Sequence, residues 1–228
     1  MPGEESVLAD PTVAAEFFPA RADIVLPPGV VGPESFSFNV NAFVVRRGSD
    51  IALVDTLMRP DHVDIILRAL EHAGAGFADI THIVLTHHHP DHSGGLETIM
   101  QRCPRAHILC GAGDIDALRS ATGILADAVT SGDTVLGLDV VPTPGHTPGH
   151  LCLFDEYSST MLLGDVAGNI GALQRTPARF TENGSEAEAT LRALAERDFA
   201  NALPSHGDPL YGGAAESLRR LVSDPRTP

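Results

Sequence analysis

Alternating apolar and polar positions near the start of the chain predict a strand with one buried face. Phe36, Phe38, Val40, Ala42 and Val44 occupy every second position. Shorter apolar runs, rich in β-branched residues and bounded by turn residues, predict further strands. These runs cover residues 22–26, 50–55, 80–86, 106–110, 135–140, 151–154 and 160–163. Residues 1–20 precede them, and we expect a loosely ordered lead-in there.

Helical periodicity alternates with these strands. A helix is predicted from Pro60–Asp61 to a stop at Gly74, because the apolar residues between them share one face. Shorter patterns predict helices at 96–102, 114–119 and 214–222. Ser185 followed by Glu188 has the spacing of a capping box and predicts a helix to about Arg197. Residues 168–184 show no clear period. The pattern indicates an α/β protein with a single domain over residues 1–228.

Histidine and aspartate residues cluster where apolar runs end. After the run at 80–86 the chain reads THHHPDHSGG, which brings His87, His89, Asp91 and His92 onto one loop at a strand end. Open α/β layers usually carry their ligands at such strand ends. Imidazole and carboxylate together suit zinc, iron or manganese better than calcium, which prefers oxygen ligands. The loop therefore predicts a transition-metal site.

Residues of the same kinds follow other apolar runs and turns. They are Asp55 after 51–54, His146 and His150 in the Pro-Gly turn of 142–150, Asp165 after 161–164, and His206 after 202–204. Since each polar residue stands where a run stops, we expect them along one rim of the molecule.

With these motifs in this order, residues 41–207 resemble the metallo-β-lactamase fold superfamily, including its glyoxalase II-like metallo-hydrolases. The resemblance implies a four-layer αββα sandwich with the site at one edge between two sheets. It also implies that one metal would be held by His87, His89 and His146, and a second by Asp91, His92 and His206. Asp165 would bridge the two metals, and Asp55 would organise the ligands from behind. For His150 a supporting role is favoured, because metal ligands need outer hydrogen-bond partners.

These expectations define a hydrolase with two Zn²⁺ ions, with iron or manganese as possible replacements. A hydroxide bridging two metals would attack a small ester, thioester or lactone. Asp91 would be the catalytic carboxylate, orienting the hydroxide or passing a proton to the leaving group. Three alternatives stay open: an iron-dependent enzyme like the persulfide dioxygenases, an amide hydrolase like the β-lactamases, and a non-catalytic ligand-binding member.

Substrate selection is expected from two segments beside the metal motifs. Met58 follows the first motif, and the segment 168–180 follows Asp165. Arg175 and Arg179 in that segment are candidates to hold an anionic group of the substrate, because guanidinium binds carboxylate through paired hydrogen bonds.

The composition narrows the classes of partner that we expect for this protein. The net charge is −15 and every basic residue is an arginine, a balance that disfavours nucleic acid. Three cysteines without CxxC spacing are expected to be free thiols in a reducing compartment. Neither a secretory signal nor a run of membrane length is apparent. We therefore expect a cytoplasmic protein with a small-molecule substrate, without nucleic-acid or membrane partners, and with a possible homo-oligomeric state.

Overall fold

The first sheet carries the early strands and the metal loop. The computed structural model describes residues 13–224. Six strands pair in sequence order: β1 (Glu16–Leu26), β2 (Phe36–Arg47), β3 (Asp50–Val54), β4 (Ile80–Leu85), β5 (His107–Gly111) and β6 (Asp127–Val129). The pairs β1–β2 and β2–β3 are antiparallel, whereas β3 to β6 run parallel. The carboxyl ends of β3 and β4 therefore lie side by side.

A second sheet faces the first. Its order is β13-β10-β9-β8-β7, with β7 (Thr134–Val135), β8 (Leu138–Pro142), β9 (Leu151–Asp155), β10 (Thr160–Gly164) and β13 (Asn201–Pro204). Between β10 and β13 along the chain, a small hairpin forms from β11 (Ala167–Asn169) and β12 (Leu173–Arg175). β10 and β13 are parallel, so their carboxyl ends also meet at one edge.

Helices cover the outer faces of both sheets. In chain order the helices are α1 (Val63–His72), α2 (Pro90–Ser93), α3 (Leu96–Arg102), α4 (Ile115–Thr122), α5 (Gly184–Ala195) and α6 (Ala214–Ser223). All but α2, which lies in the loop after β4, contribute buried residues to the hydrophobic layers outside the sheets. Within residues 13–224, none of these helices has the length and apolar character needed to cross a membrane.

Three hydrophobic layers show the predicted αββα order. Successive strand residues point to opposite faces, so Leu53 packs under the first group of helices while Val54 packs between the sheets. Leu153 and Leu162 face Val54 from the second sheet. Leu163 packs instead among residues of α5 and α6. Strands buried on both faces read as continuous apolar runs, which is why β3 and β10 show little alternation.

The first strand is longer than its sequence pattern indicated. β1 begins at Glu16, which lies opposite Arg46 of β2 and forms an ion pair with it at 2.6 Å. The expected loose lead-in over residues 1–20 is therefore wrong for residues 16–20, because pairing with β2 orders them. Residues 1–12 of that lead-in lie outside the described residues.

Two local predictions are corrected by backbone geometry. The single strand expected over 135–140 is two strands joined at Leu136 and Gly137, which have φ of 49° and 72°. Positive φ at both positions is the geometry of a tight hairpin turn. The cap of α5 is Asn183 rather than Ser185: the Asn183 side chain accepts a hydrogen bond from the Glu186 N–H, and its backbone is extended. Ser185 already lies inside the helix.

Candidate metal centre

The predicted site residues meet where the two sheets present their strand ends. β4 ends at Leu85 and leads into the loop and short helix α2 that carry His87, His89, Asp91 and His92. The turn between β8 and β9 brings His146, and the ends of β10 and β13 bring Asp165 and His206. Among the described residues, groups of these side chains have candidate ligand atoms within 4.8 Å of one another.

The histidine group comprises His87, His89 and His146. Nδ1 of His89 lies 2.9 Å from Nε2 of His146. Burial lowers the pKa of His87 well below its usual value, and lowers the pKa of His146 to about 4. Burial also lowers the pKa of His89. The three rings are therefore neutral at pH 7 and have lone pairs available for a metal ion.

The carboxylate group comprises Asp91, His92 and His206. Oδ2 of Asp91 lies 3.6 Å from Nε2 of His92 and 3.4 Å from Nε2 of His206. Burial lowers the pKa of His92, but the Asp91, Asp165 and Asp55 carboxylates outweigh it and raise that pKa to about 9. The pKa of His206 is raised in the same way, mainly by Asp165 against the effect of burial. This side of the centre attracts positive charge.

Asp165 faces both groups. Its Oδ2 lies 3.4 Å from Nε2 of His146 and 3.2 Å from Nε2 of His206, while Oδ1 lies 3.6 Å from Nε2 of His92. Burial opposes the charged form, yet the neighbouring histidines hold the pKa of Asp165 well below its usual value. A buried carboxylate between two sets of imidazoles has the position of a bridging ligand.

Unpartnered buried atoms show that a metal fits this site. Nε2 of His87, Nε2 of His92 and Oδ1 of Asp165 are buried and lack a hydrogen-bond partner. An unsatisfied buried polar group costs about 1–3 kcal/mol, so three in one group are unfavourable unless something binds them. The same three residues have candidate ligand atoms within 4.8 Å of one another. The donor set, imidazole with carboxylate, suits zinc and iron.

Asp55 lies behind this centre, where the family resemblance placed it. Its carboxylate accepts hydrogen bonds from the Thr86 N–H at 2.8 Å and from Nδ1 of His92 at 2.9 Å. The bond fixes the proton of His92 on Nδ1 and turns Nε2 towards the centre. Asp55 has φ of 62°, unusual for a residue other than glycine. Such strain is typical of functional sites.

The comparison with protein families agrees with this geometry. The family model described as the metallo-beta-lactamase superfamily matches residues 37–206. This chain belongs to the metallo-beta-lactamase superfamily. The predicted membership and the predicted fold class are both confirmed.

The proteins similar to this chain do not share one described activity. The uncharacterized protein YobT of Bacillus subtilis is 29% identical over 81% of this chain and 90% of its own length. The thioesterase pkgB of Emericella nidulans is 30% identical over 80% of this chain, which spans only 50% of that thioesterase. A solved flavo di-iron protein from Thermotoga maritima has a TM-score of 0.73 at 20% identity, covering 91% of this chain and 59% of its own. That likeness shows the shared fold.

In this superfamily member His150 supports Asp165 instead of joining the histidine group. Its Nε2 accepts a hydrogen bond from the Asp165 N–H at 2.9 Å, and its Nδ1 donates to Oγ1 of Thr143 at 2.8 Å. Burial lowers the pKa of His150 to about 3, consistent with a neutral ring. A Cβ at Gly164 would lie 2.5 Å from His150 Nε2, so only glycine fits there. Both ring nitrogens are occupied, so neither is available as a ligand.

Asp114 is a site residue that sequence reasoning missed. Its fully buried carboxylate accepts from the His88 N–H at 3.0 Å, the Thr147 hydroxyl at 2.7 Å and the Gly149 N–H at 2.7 Å. It therefore ties the loop of His87 and His89 to the turn that carries His146. The available signal was its position, since Asp114 follows the end of β5 as other site aspartates follow their strands. His88 turns towards it, with Nδ1 at 3.2 Å from Oδ2.

Two asparagines of β2, also missed, hold the His206 loop. The Asn39 carbonyl accepts a hydrogen bond from Nδ1 of His206 at 2.6 Å. Nδ2 of Asn41, which is buried, donates to the carbonyls of Pro204 and Gly207 at 3.0 and 2.9 Å. These bonds cross from the first sheet to the second and direct Nε2 of His206 at the carboxylates.

A cavity of about 560 Å³ opens over the centre. Met58, Arg175 and Arg179 all line it, together with Asp91 and Asp165. The two arginines differ in their contacts. Arg175 Nε donates to Glu188 Oε2 at 2.8 Å. Arg179 instead lies over aromatic rings at the rim of the cavity.

Proposed function

We propose that this protein is a metal-dependent hydrolase that uses two Zn²⁺ ions to cleave a small ester, thioester or lactone. The observation that carries the proposal is the position of Asp165, buried between a neutral histidine group and a carboxylate group with one oxygen left unpartnered. His87, His89 and His146 would hold one ion, and Asp91, His92 and His206 the other. When bound, such ions lower the pKa of water towards about 7 and polarise a carbonyl.

Asp91 is the carboxylate best placed to handle protons. It lines the cavity, and its side chain is 21% exposed, compared with 6% for Asp165. Burial opposes its charged form, but His92 and His206 lower the pKa of Asp91, so it is a carboxylate at neutral pH. It can accept a hydrogen bond from the attacking water and orient its oxygen towards the acyl carbon.

The proposed hydrolysis consumes one water molecule for each substrate molecule. A new bond forms between the water oxygen and the acyl carbon, and the C–O or C–S bond of the substrate breaks. The leaving oxygen or sulfur takes one proton, which Asp91, a carboxylate that lines the cavity, can pass to it. The products are a carboxylic acid and an alcohol or thiol, or a single hydroxy acid when the substrate is a lactone. Similarity to a thioesterase supports this choice of bond.

Metal analysis and an activity panel test the proposal together. The protein is purified without added metal, analysed for its elements, and assayed on matched esters, thioesters and lactones. We expect two equivalents of zinc and turnover that a chelator abolishes and zinc restores. One equivalent of iron with oxygen uptake on a persulfide would replace the hydrolase proposal with the dioxygenase alternative. Turnover of a β-lactam alone would favour the amide hydrolase, and absence of any turnover in the metal-loaded protein would favour a binding function.

A further inference from the structure

The cavity above the centre has one predominantly apolar wall. Its volume of about 560 Å³ lies within the range of about 300–1,000 Å³ typical of sites for small organic molecules. The floor is formed by the centre itself. Much of the wall comes from the β1–β2 hairpin, the turn after β3 and the segment after β12, and it includes Leu26, Val31, Phe36, Phe38, Met58 and Phe180.

Aromatic rings along this wall form a continuous strip that starts at the centre. The rings of His206 and Phe38 have centroids 5.6 Å apart, and Phe38 stacks with Phe36 at 5.5 Å. Phe36 in turn contacts Phe180 at 6.0 Å. Apolar parts of a substrate that lie on this strip lose contact with water, which is favourable in proportion to the area buried.

Arg179 marks the far end of the strip. Its guanidinium carbon lies 4.8 Å from the ring centre of Phe36 and 4.7 Å from that of Phe180. Cation–π contacts of this kind fix the plane of the guanidinium while its N–H edges stay available. Within residues 13–224, Arg179 forms no ion pair, whereas Arg175 donates to Glu188 through Nε and Nη2. Of the two, Arg179 is therefore the one positioned to receive an anion.

We propose that the substrate has an aromatic or branched apolar body with the scissile ester or thioester at one end and a carboxylate at the other. The scissile bond lies at the metal centre, the body lies on the strip of Phe36 and Phe38, and the carboxylate binds Arg179. This inference rests on the proposed function and names its substrate class. The negative surface, with a net charge of −15, repels anions at long range. Recognition of the carboxylate is therefore a local contact with Arg179.

A matched substrate pair tests the anion contact. The probes are the 4-nitrophenyl ester of 4-(carboxymethyl)phenylacetic acid and the same ester with a carboxamide in place of the free carboxylate. In Arg179→Gln we expect KM for the carboxylate ester to rise about ten- to a hundredfold, with a change below about twofold for the carboxamide. Arg179→Lys should recover part of the loss, because it keeps the charge without the paired N–H donors.

Arg220→Gln is the control for net charge. Arg220 is an exposed arginine of α6 that does not line this cavity. Its replacement removes the same charge and should leave both KM values unchanged. Equal changes on the two esters in Arg179→Gln, or no change on either, would overturn the assignment of the carboxylate to Arg179.

A second variant tests the apolar strip. Phe36→Ala should raise KM for both phenylacetate esters but leave 4-nitrophenyl acetate, which has no aromatic acyl body, nearly unaffected. The carboxylate ester should suffer the larger loss, since Phe36 also positions Arg179. An equal loss on 4-nitrophenyl acetate would mean that the variant damages the centre and would contradict a role for Phe36 in holding the body.

A direct binding measurement tests this inference independently of the proposed function. Titration calorimetry with 1,4-phenylenediacetate and with its diamide requires no turnover. We expect the diacid to bind Arg179→Gln more weakly than the wild-type protein, by the same ten- to a hundredfold, and the diamide to bind both equally. If no ester is hydrolysed but this difference is found, the proposed function fails and the binding site stands. If esters are hydrolysed and the difference is absent, the inference fails alone.

Discussion

The two halves of the candidate metal centre differ in their electrostatics. The histidine group of His87, His89 and His146 is kept neutral by burial. The carboxylate group of Asp91, His92 and His206 contains histidines whose pKa values are raised by neighbouring carboxylates that outweigh burial. The first half therefore offers lone pairs, and the second half offers negative charge. A metal bound in the first half would be held by coordination bonds to neutral donors, and one bound in the second half would gain strongly from charge neutralisation.

The halves also differ in how they are supported. The histidine group depends on Asp114, one carboxylate that ties two loops of the chain. The carboxylate group depends on Asp55 behind His92 and on the Asn39 carbonyl behind His206. Asp165 is the residue that joins them. We therefore expect a substitution of Asp165 to reduce metal binding in both halves, and a substitution of Asp114 or Asp55 to reduce it in one half.

The largest effect is expected from Asp165→Ala, because it removes a group shared by both halves. Metal occupancy should fall and hydrolysis should decrease by at least about a hundredfold, the upper range for loss of supporting groups around a metal. Elemental analysis and ester kinetics on the same preparation measure both. Asp139→Ala, an exposed aspartate on β8, is the matched control. Full occupancy of both sites in Asp165→Ala would remove Asp165 from the position between them.

The next largest effect should distinguish His146, a candidate ligand, from His88, which only neighbours candidate ligands in the sequence. His146→Ala should lose metal from the histidine group, since His146 contributes a candidate ligand atom. His88→Ala should keep most of its metal, because the His88 ring turns towards Asp114. Metal content after dialysis against a mild chelator measures the difference. Greater loss in His88→Ala than in His146→Ala would show that the histidines of the loop are assigned in the wrong register.

Substitutions of the two supporting carboxylates, Asp114 and Asp55, should each lower metal affinity in a different half of the centre. Asp114→Asn places an amide N–H₂ among the His88, Thr147 and Gly149 donors, so we expect metal affinity at the histidine group to fall about 10–100-fold. Asp55→Asn should weaken the carboxylate group instead, because it frees the orientation of His92. Competition with a chromophoric chelator resolves the two affinities. Asp116→Asn, at an exposed position, serves as the control. If Asp114→Asn and Asp55→Asn weakened the same half of the centre, the two carboxylates would not support different halves.

The smallest effect concerns an ion pair outside both halves. The hydrogen bond from Arg175 lowers the pKa of Glu188, so the pair contributes stability above the usual glutamate pKa of about 4.3. That contribution is lost as the pH falls through the lowered value. Glu188→Gln should therefore reduce the free energy of unfolding by less than about 1 kcal/mol at pH 7, with no difference in strongly acidic solution.

Denaturant titrations of the wild-type protein and of Glu188→Gln at several pH values measure this dependence. Metal content should be the same in both proteins. If the wild-type advantage instead grew as the pH fell, the ionised form of Glu188 would oppose folding and the stabilising role of the pair would be wrong.

Local patterns were sufficient where each element is favoured by its own residues. The strand before the metal loop and the helix at 96–102 lie where the sequence predicted them. Local patterns failed where residue type left the backbone conformation undecided. The cap of α5 could be Asn183 or Ser185 by residue type, and only the backbone entering the helix selects Asn183. The turn at Leu136 was missed because leucine rarely adopts positive φ.

The sequence by itself determined the order of the strand-end histidines and aspartates, and with it their expected place along one rim of the molecule. This is possible because a side chain that follows an apolar run must lie at the rim of a sheet. Tertiary structure alone decided that Asp114 supports the histidine group, that Asn39 and Asn41 hold the His206 loop, and that Arg175 pairs with Glu188. These contacts join residues far apart in the chain, and their partners are set by how the two sheets pack, which no local pattern records.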